Sequence, residues 1–140
     1  GRWLVGNAGI SIYRVGTVKE IPGVRTYVAT DGGMSDNIRP MLYDAQYTAA
    51  VADRFAAHRN RSVRVVGMHC ESGDILIPEI DLQDPQVGDV LAIAATGAYG
   101  HAMASNYNGV TRPPVIFCAD GKAREVVRRE TYADLAARDV

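Results

Sequence analysis

A chain of 140 residues forms one domain and buries about two-thirds of the surface its unfolded form exposes. A balance of 47% apolar to 22% charged residues is that of a soluble globular protein, and a net charge of −1 gives no electrostatic basis for a nucleic-acid or anionic-membrane partner. The longest apolar runs, such as Val90 to Ala95, are too short to span a bilayer, and no signal-peptide pattern is present. Two cysteines, Cys70 and Cys118, make no disulfide framework and point to the reducing cytosol. The chain has only two lysines, Lys19 and Lys122, and opens at Gly1-Arg2 without methionine, as a piece of a longer protein would.

From Leu4 to Val18, apolar residues at Ile10, Ile12 and Val18 with Gly6, Gly9 and Gly16 between them predict strands that bend or bulge. Ile21-Pro22-Gly23-Val24 is a turn signal, and Thr26 to Thr30 is the returning strand. Asp31-Gly32-Gly33 breaks regular structure, as a hairpin turn or as part of a ligand wall. Ile38 to Tyr43 is expected to form a short turn of helix with Pro40 near its start. The stretch 44–56 is ambiguous. Tyr47, Val51 and Phe55 at fourfold spacing favour helix, Tyr47, Ala49 and Val51 in alternation favour strand, and the overall β pattern tips the reading to strand.

Val63 to Val66, Ile75 to Pro78, Val90 to Ala95, Val115 to Cys118 and Ala123 to Val127 read as further strands, the last two joined through Asp120-Gly121. Thr131 with Asp134 three residues on predicts an N-capped terminal helix through Ala137. The expected fold is therefore mainly β: a Greek-key barrel or sandwich of about seven to ten short strands with one or two short helices.

Met68-His69-Cys70-Glu71-Ser72-Gly73-Asp74 concentrates the chemistry. A lone cysteine is by default a small buried hydrophobe. His69 cannot serve as its base along a strand, because neighbouring residues face opposite sides, and no second cysteine supports zinc. The same alternation separates Cys70 from Glu71 unless the strand stops there. Ser72-Gly73-Asp74 supplies that stop, which predicts an irregular corner. Arg39 and Tyr43, four apart, share a helix face and pair a guanidinium fork with a phenol, a set suited to a carboxylate. Arg2 reads as exposed. Tyr99, in Gly97-Ala98-Tyr99-Gly100, suits core or ligand contact equally, while His58, His101 and Cys118 carry no functional signal.

Together these segments resemble the C-terminal domain of diaminopimelate decarboxylases, pyridoxal-phosphate enzymes of the alanine racemase-like fold type. The resemblance rests on Gly1-Arg2, on Val28-Ala-Thr-Asp-Gly-Gly-Met-Ser-Asp-Asn37, on Arg39-Pro-x-Leu-Tyr43, on Cys70-Glu-Ser-Gly-Asp74, and on Gly97-Ala-Tyr99 with Asn106-Tyr-Asn108. It implies a homodimer with shared active sites. In such enzymes a separate N-terminal (β/α)8 barrel, absent here, carries the lysine that binds pyridoxal 5'-phosphate, and residues 1–140 correspond to the β-domain covering it. It implies further that Arg2, Arg39 and Tyr43 bind substrate carboxylate, that Glu71 recognises the distal ammonium, that Arg2 and Tyr99 touch the cofactor, and that Cys70 donates a proton.

On that resemblance the parent enzyme converts meso-2,6-diaminopimelate to L-lysine and CO2, the last step of lysine biosynthesis, and this domain alone is expected to be inactive. A neighbouring Glu71 is expected to favour the protonated Cys70 thiol. The nearest rivals are decarboxylases of ornithine, arginine or carboxynorspermidine. The ornithine type resembles this chain less, having Asp after the cysteine and no Arg39–Tyr43 carboxylate receptor. A non-catalytic homologue acting by dimerisation is the rival from another class.

Overall fold

The computed structural model describes all residues, Gly1–Val140. In chain order the elements are α1 (Arg2–Val5), β1 (Ile10–Ile21), β2 (Arg25–Thr30), α2 (Arg39–Tyr43), β3 (Ala49–Val51), β4 (Arg61–Val66), β5 (Ile75–Leu82), β6 (Val90–Ala94), α3 (Gly100–Met103), β7 (Val115–Ala119), β8 (Lys122–Val127) and α4 (Tyr132–Ala136), with 3-10 turns at Gly6–Ala8, Ala52–Arg54 and Tyr107–Gly109. Six strands make one sheet in the order β3-β6-β1-β2-β4-β5, and β7 and β8 form a separate ladder. Every neighbouring pair is antiparallel except β2 with β4.

The sheet curls until its two edges meet, and the buried Gln83 joins them. Its side-chain oxygen accepts from Val51 N at 3.0 Å, and its amide donates to Phe55 O at 3.1 Å. A nearly closed, mainly β barrel with short helices is the architecture the strand spacing called for.

The bulge predicted by the glycines of the first segment falls at Gly16. Val15 pairs with Thr30 and Thr17 with Ala29, leaving Gly16 as the extra residue. Below it β1 pairs with β6, and above it with β2, so one strand serves both halves of the barrel. An extra residue also reverses which side chains face inward. Tyr13 and Val15 are buried before the bulge, and even-numbered Val18 packs on the core after it. One reading of this segment is corrected: residues 4–8, expected as strand, are helical turns. Ile10 and Ile12 belong to β1 as expected and lie on its outer face, at the parity opposite to Tyr13.

The ambiguous stretch 44–56 resolves into β3, whose Ala49, Ala50 and Val51 are all buried, followed by a 3-10 turn. Small side chains there let β3 lie against β6 where the barrel closes. The helix carrying Arg39 starts with Pro40 in its first turn, as its fixed φ suits. Asp120 and Gly121, at φ 51° and 70°, make the turn between β7 and β8. Thr131 and Asp134 cap α4 reciprocally, with Asp134 N donating to Thr131 Oγ1 at 3.2 Å and Thr131 N to Asp134 Oδ2 at 2.7 Å. No helix is long and apolar enough to cross a membrane.

Candidate functional site at the Cys70 corner

The link from β4 to β5 is an irregular corner over residues 67–74, not a hairpin turn. Its keystone is Asp74, only 3% exposed. The Asp74 carboxylate accepts from Met34 N at 2.7 Å through Oδ1 and from His69 N at 2.8 Å through Oδ2. One carboxylate thus ties the corner to the Asp31-Gly-Gly loop that leads into α2. Met68 N donates to Gly32 O at 3.0 Å and Gly67 N to Asp74 O at 2.9 Å, which completes the seam. Gly33 is required by close approach, since a Cβ there would sit 2.6 Å from Asp74 Oδ1, and Gly67 lies against the same carboxylate. With strand alternation broken, Cys70 and Glu71 both stand exposed at the tip.

Glu71 forms no ion pair. Its carboxylate has one partner, the Tyr107 hydroxyl, which donates to Oε1. That bond, and the carboxylate charge behind it, push the Tyr107 phenol above its ordinary range, so the proton stays on tyrosine. The His69 and Tyr107 rings meet edge to face, with centroids 5.5 Å apart and planes at 68°. His69 Nε2 lies 2.9 Å from Ser35 Oγ, and Ser35 Oγ donates to Asp36 Oδ1 at 3.2 Å. Burial is the main reason Asp36 is raised above the usual carboxylate range.

The base of the Tyr107 loop is clamped from the C-terminal side. Glu130 accepts from Asn106 Nδ2 at 2.5 Å, from Arg112 N at 2.8 Å and from Arg112 Nε at 2.6 Å. The Arg112 side chain is the largest cause holding Glu130 at about 2. Asn108 and Gly109, at φ 55° and 70°, then turn the chain away beneath the exposed Tyr107.

A second group of candidate residues is set by backbone contact between Gly9 and Gly97. A Cβ on Gly97 would come within 2.7 Å of Gly9 N, and Gly97 N donates to Gly6 O at 3.0 Å. This pins α1, which bears Arg2, beside Gly97-Ala98-Tyr99. Tyr99 sits at φ 64° as the cap of α3, with its ring more than half exposed, which decides against a core role. Neither Arg2 nor Tyr99 hydrogen-bonds through its side chain within the chain. Arg39 does: its guanidinium donates to Tyr47 OH at 2.9 Å, not to Tyr43, whose ring is exposed. The rest of the Arg39 fork pairs with no acid.

Met41 seats α2 on the corner, its side chain within reach of Gly73. The structure therefore gathers Cys70, Glu71 and α2 about Asp74, and Arg2 with Tyr99 about Gly97. No hydrogen bond or ion pair joins the two groups. Sequence reasoning missed the roles of Asp74, Ser35, His69 and Tyr107. The signals were the acid closing Ser-Gly-Asp, and Tyr107 ahead of an Asn-Gly turn. Cys70 and Cys118 are both free and exposed, and no cluster of metal-binding side chains is present.

The curled β-barrel displays at its edge a free thiol, a carboxylate without an ion pair, and guanidinium and phenol groups without an acid partner. Residues 3–97 match the family described as "Pyridoxal-dependent decarboxylase, C-terminal sheet domain", and the chain belongs to that family. It is 54% identical to the diaminopimelate decarboxylase of Bacillus subtilis over 140 residues, covering all of this chain and 32% of that protein. The M. jannaschii diaminopimelate decarboxylase crystallised with L-lysine superposes with a TM-score of 0.90 at 39% identity, over the whole of this chain and 32% of that one. The Helicobacter pylori diaminopimelate decarboxylase, also with L-lysine, gives 0.86 at 33% identity, over 98% of this chain and 33% of that one. The chain thus spans about a third of the relatives it matches.

Proposed function

We propose that residues 1–140 are the C-terminal domain of a diaminopimelate decarboxylase, acting with an N-terminal (β/α)8 barrel in a cytosolic homodimer with shared active sites. The observation that carries the reading is the Cys70–Glu71 corner. It presents a free thiol and an oriented carboxylate without a cation, next to a helix whose guanidinium has no acid partner. Diaminopimelate has an amine and a carboxylate at each end. When one end is committed to the cofactor, the other calls for a cation, a hydroxyl donor and an anion. Arg2, Arg39 and Tyr43 supply the first two for the distal carboxylate, and Glu71 supplies the anion for the distal ammonium. Ornithine lacks a distal carboxylate and would leave that receptor unused.

The donor set also fits the cofactor its family implies. Arg2 and Tyr99 offer an exposed guanidinium and phenol, beside a Gly9–Gly97 backbone contact that keeps the surface low. Lys19 on β1 and Lys122 beside the β7–β8 turn lie on other elements, so the cofactor lysine is assigned to the barrel. Bound pyridoxal phosphate supplies the electron sink for loss of CO2. Cys70 holds a proton on Sγ and delivers it to the carbon that has lost the carboxylate.

The test is product identity. The whole protein with pyridoxal phosphate is given meso-diaminopimelate and, separately, ornithine. Lysine from the first, cut about 10²–10⁴-fold by Cys70→Ala and reduced by Glu71→Ala, is the expected outcome. Putrescine from the second, with no lysine from the first, overturns the substrate reading, and cofactor binding without turnover of either favours a non-catalytic homologue.

A further inference from the structure

We propose that Tyr107 is a positioning residue for Glu71: its hydroxyl holds the carboxylate, and His69 and Ser35 hold Tyr107. The inference rests on the reading of Glu71 as the receptor for the distal ammonium group. A glutamate on an exposed corner has three rotatable bonds, and Glu71 has neither a cation nor a backbone N–H to fix it. Its single restraint is the Tyr107 hydroxyl. Tyr107 in turn is fixed from two directions. The His69 ring packs edge to face with its ring, and the chain beneath it is fastened by Ser105 N to Ser35 O at 2.8 Å. Ser35, 3% exposed, also meets His69 Nε2, so one buried residue braces both neighbours of Glu71.

Segments 33–36, 69–71 and 105–107, distant in sequence, thereby converge on one carboxylate. A phenol suits this position because it donates without bringing charge. A lysine or arginine there would neutralise Glu71 and compete with the ammonium it is meant to receive. Taking up one acceptor site of Glu71 leaves the second oxygen, already oriented, for a primary ammonium ligand. Binding then forgoes the loss of side-chain freedom that a mobile glutamate would incur.

The test compares Tyr107→Phe, Glu71→Gln and the double variant in the whole protein. Phenylalanine keeps the ring against His69, so the fold is retained. Tyr107→Phe is expected to raise KM for meso-diaminopimelate about tenfold, as loss of a hydrogen bond to a charged group implies, with kcat within about threefold. Glu71→Gln is expected to raise KM at least as far, and the double variant no further than Glu71→Gln alone. A second readout needs no cofactor: in the apo-protein, the Tyr107 phenol, followed by ring-carbon NMR, should titrate at lower pH after Glu71→Gln. If Glu71→Gln raises KM but Tyr107→Phe leaves it within twofold, the positioning role is overturned and the substrate reading stands. An unchanged Tyr107 titration in Glu71→Gln overturns it as well. If Glu71→Gln leaves KM unchanged, the ammonium-receptor reading itself fails and this inference falls with it.

Discussion

Asp74→Ala is the perturbation that exposes how the corner is built. The substitution removes the acceptor for Met34 N at 2.7 Å and His69 N at 2.8 Å, both tied to a carboxylate only 3% exposed. Each hydrogen bond to a charged group contributes about 1.5–3 kcal/mol, so the pair sets an upper figure of about 3–6 kcal/mol. Two effects offset part of it. Water reaches the N–H groups of an exposed corner more readily than those of a core, and Asp36 loses the nearby negative charge that helps raise it. We expect a net loss of about 3 kcal/mol, a large share of the roughly 5–15 kcal/mol that holds a domain together. Urea denaturation gives the total. Amide exchange locates it, since Met34 and His69 should exchange faster while Val28 and Val65 in the strands hold their rates relative to global unfolding. A loss below about 1 kcal/mol, or unchanged exchange at Met34 and His69, refutes Asp74 as keystone.

Three further outcomes follow from the geometry. Leu91→Ala, at a fully buried site, should cost about 2–5 kcal/mol in urea denaturation, whereas Ile12→Ala, on the outer face of β1, should stay within about 0.5 kcal/mol. Equal costs would contradict the outward placement of Ile12 on β1. Gly97→Ala should destabilise by about 1–3 kcal/mol and raise protease sensitivity at residues 2–8, because the added methyl meets the Val5 carbonyl oxygen and the Gly9 backbone. Glu130 is held at about 2, below its ordinary 4.5. A depressed carboxylate contributes its stability fully above the unfolded value and loses it as pH falls from 4.5 to about 2. Carboxyl-carbon NMR should show that low titration, and Arg112→Ala should return it toward 4.5.

The strands were legible because most of them announce themselves locally. Val63 to Val66 alternates, Asp120-Gly121 marks its turn, and Thr131 with Asp134 writes out a capping box. The helical turns at 2–8 were not, because four residues of Arg-Trp-Leu-Val carry no helical period and are set by the Gly9–Gly97 contact far along the chain. Ile10 and Ile12 correctly marked a strand, but an apolar residue does not announce its inward face, which on this part of β1 falls to Tyr13 and Val15. At the site, the irregular corner was readable from the Ser72-Gly73-Asp74 turn signal taken with strand alternation. The partners of that corner were not. Asp74 reaches back 40 residues to Met34, and Tyr107 reaches back 36 to Glu71. No local pattern encodes such pairings, and Tyr107 stood in a recognisable segment without a role until its hydroxyl was seen on Glu71.

The most direct test of the account separates bond breaking from proton delivery in the Cys70→Ala variant of the whole protein. Release of CO2 from carboxyl-labelled meso-diaminopimelate and formation of lysine are followed together through the first turnover. If Cys70 is the proton donor, CO2 release persists near the unmodified rate while lysine formation falls by about 10²–10⁴-fold, the range a lost general acid removes. Lysine forming at the unmodified rate would contradict the assignment of Cys70, and with it the central role given to the corner that presents it.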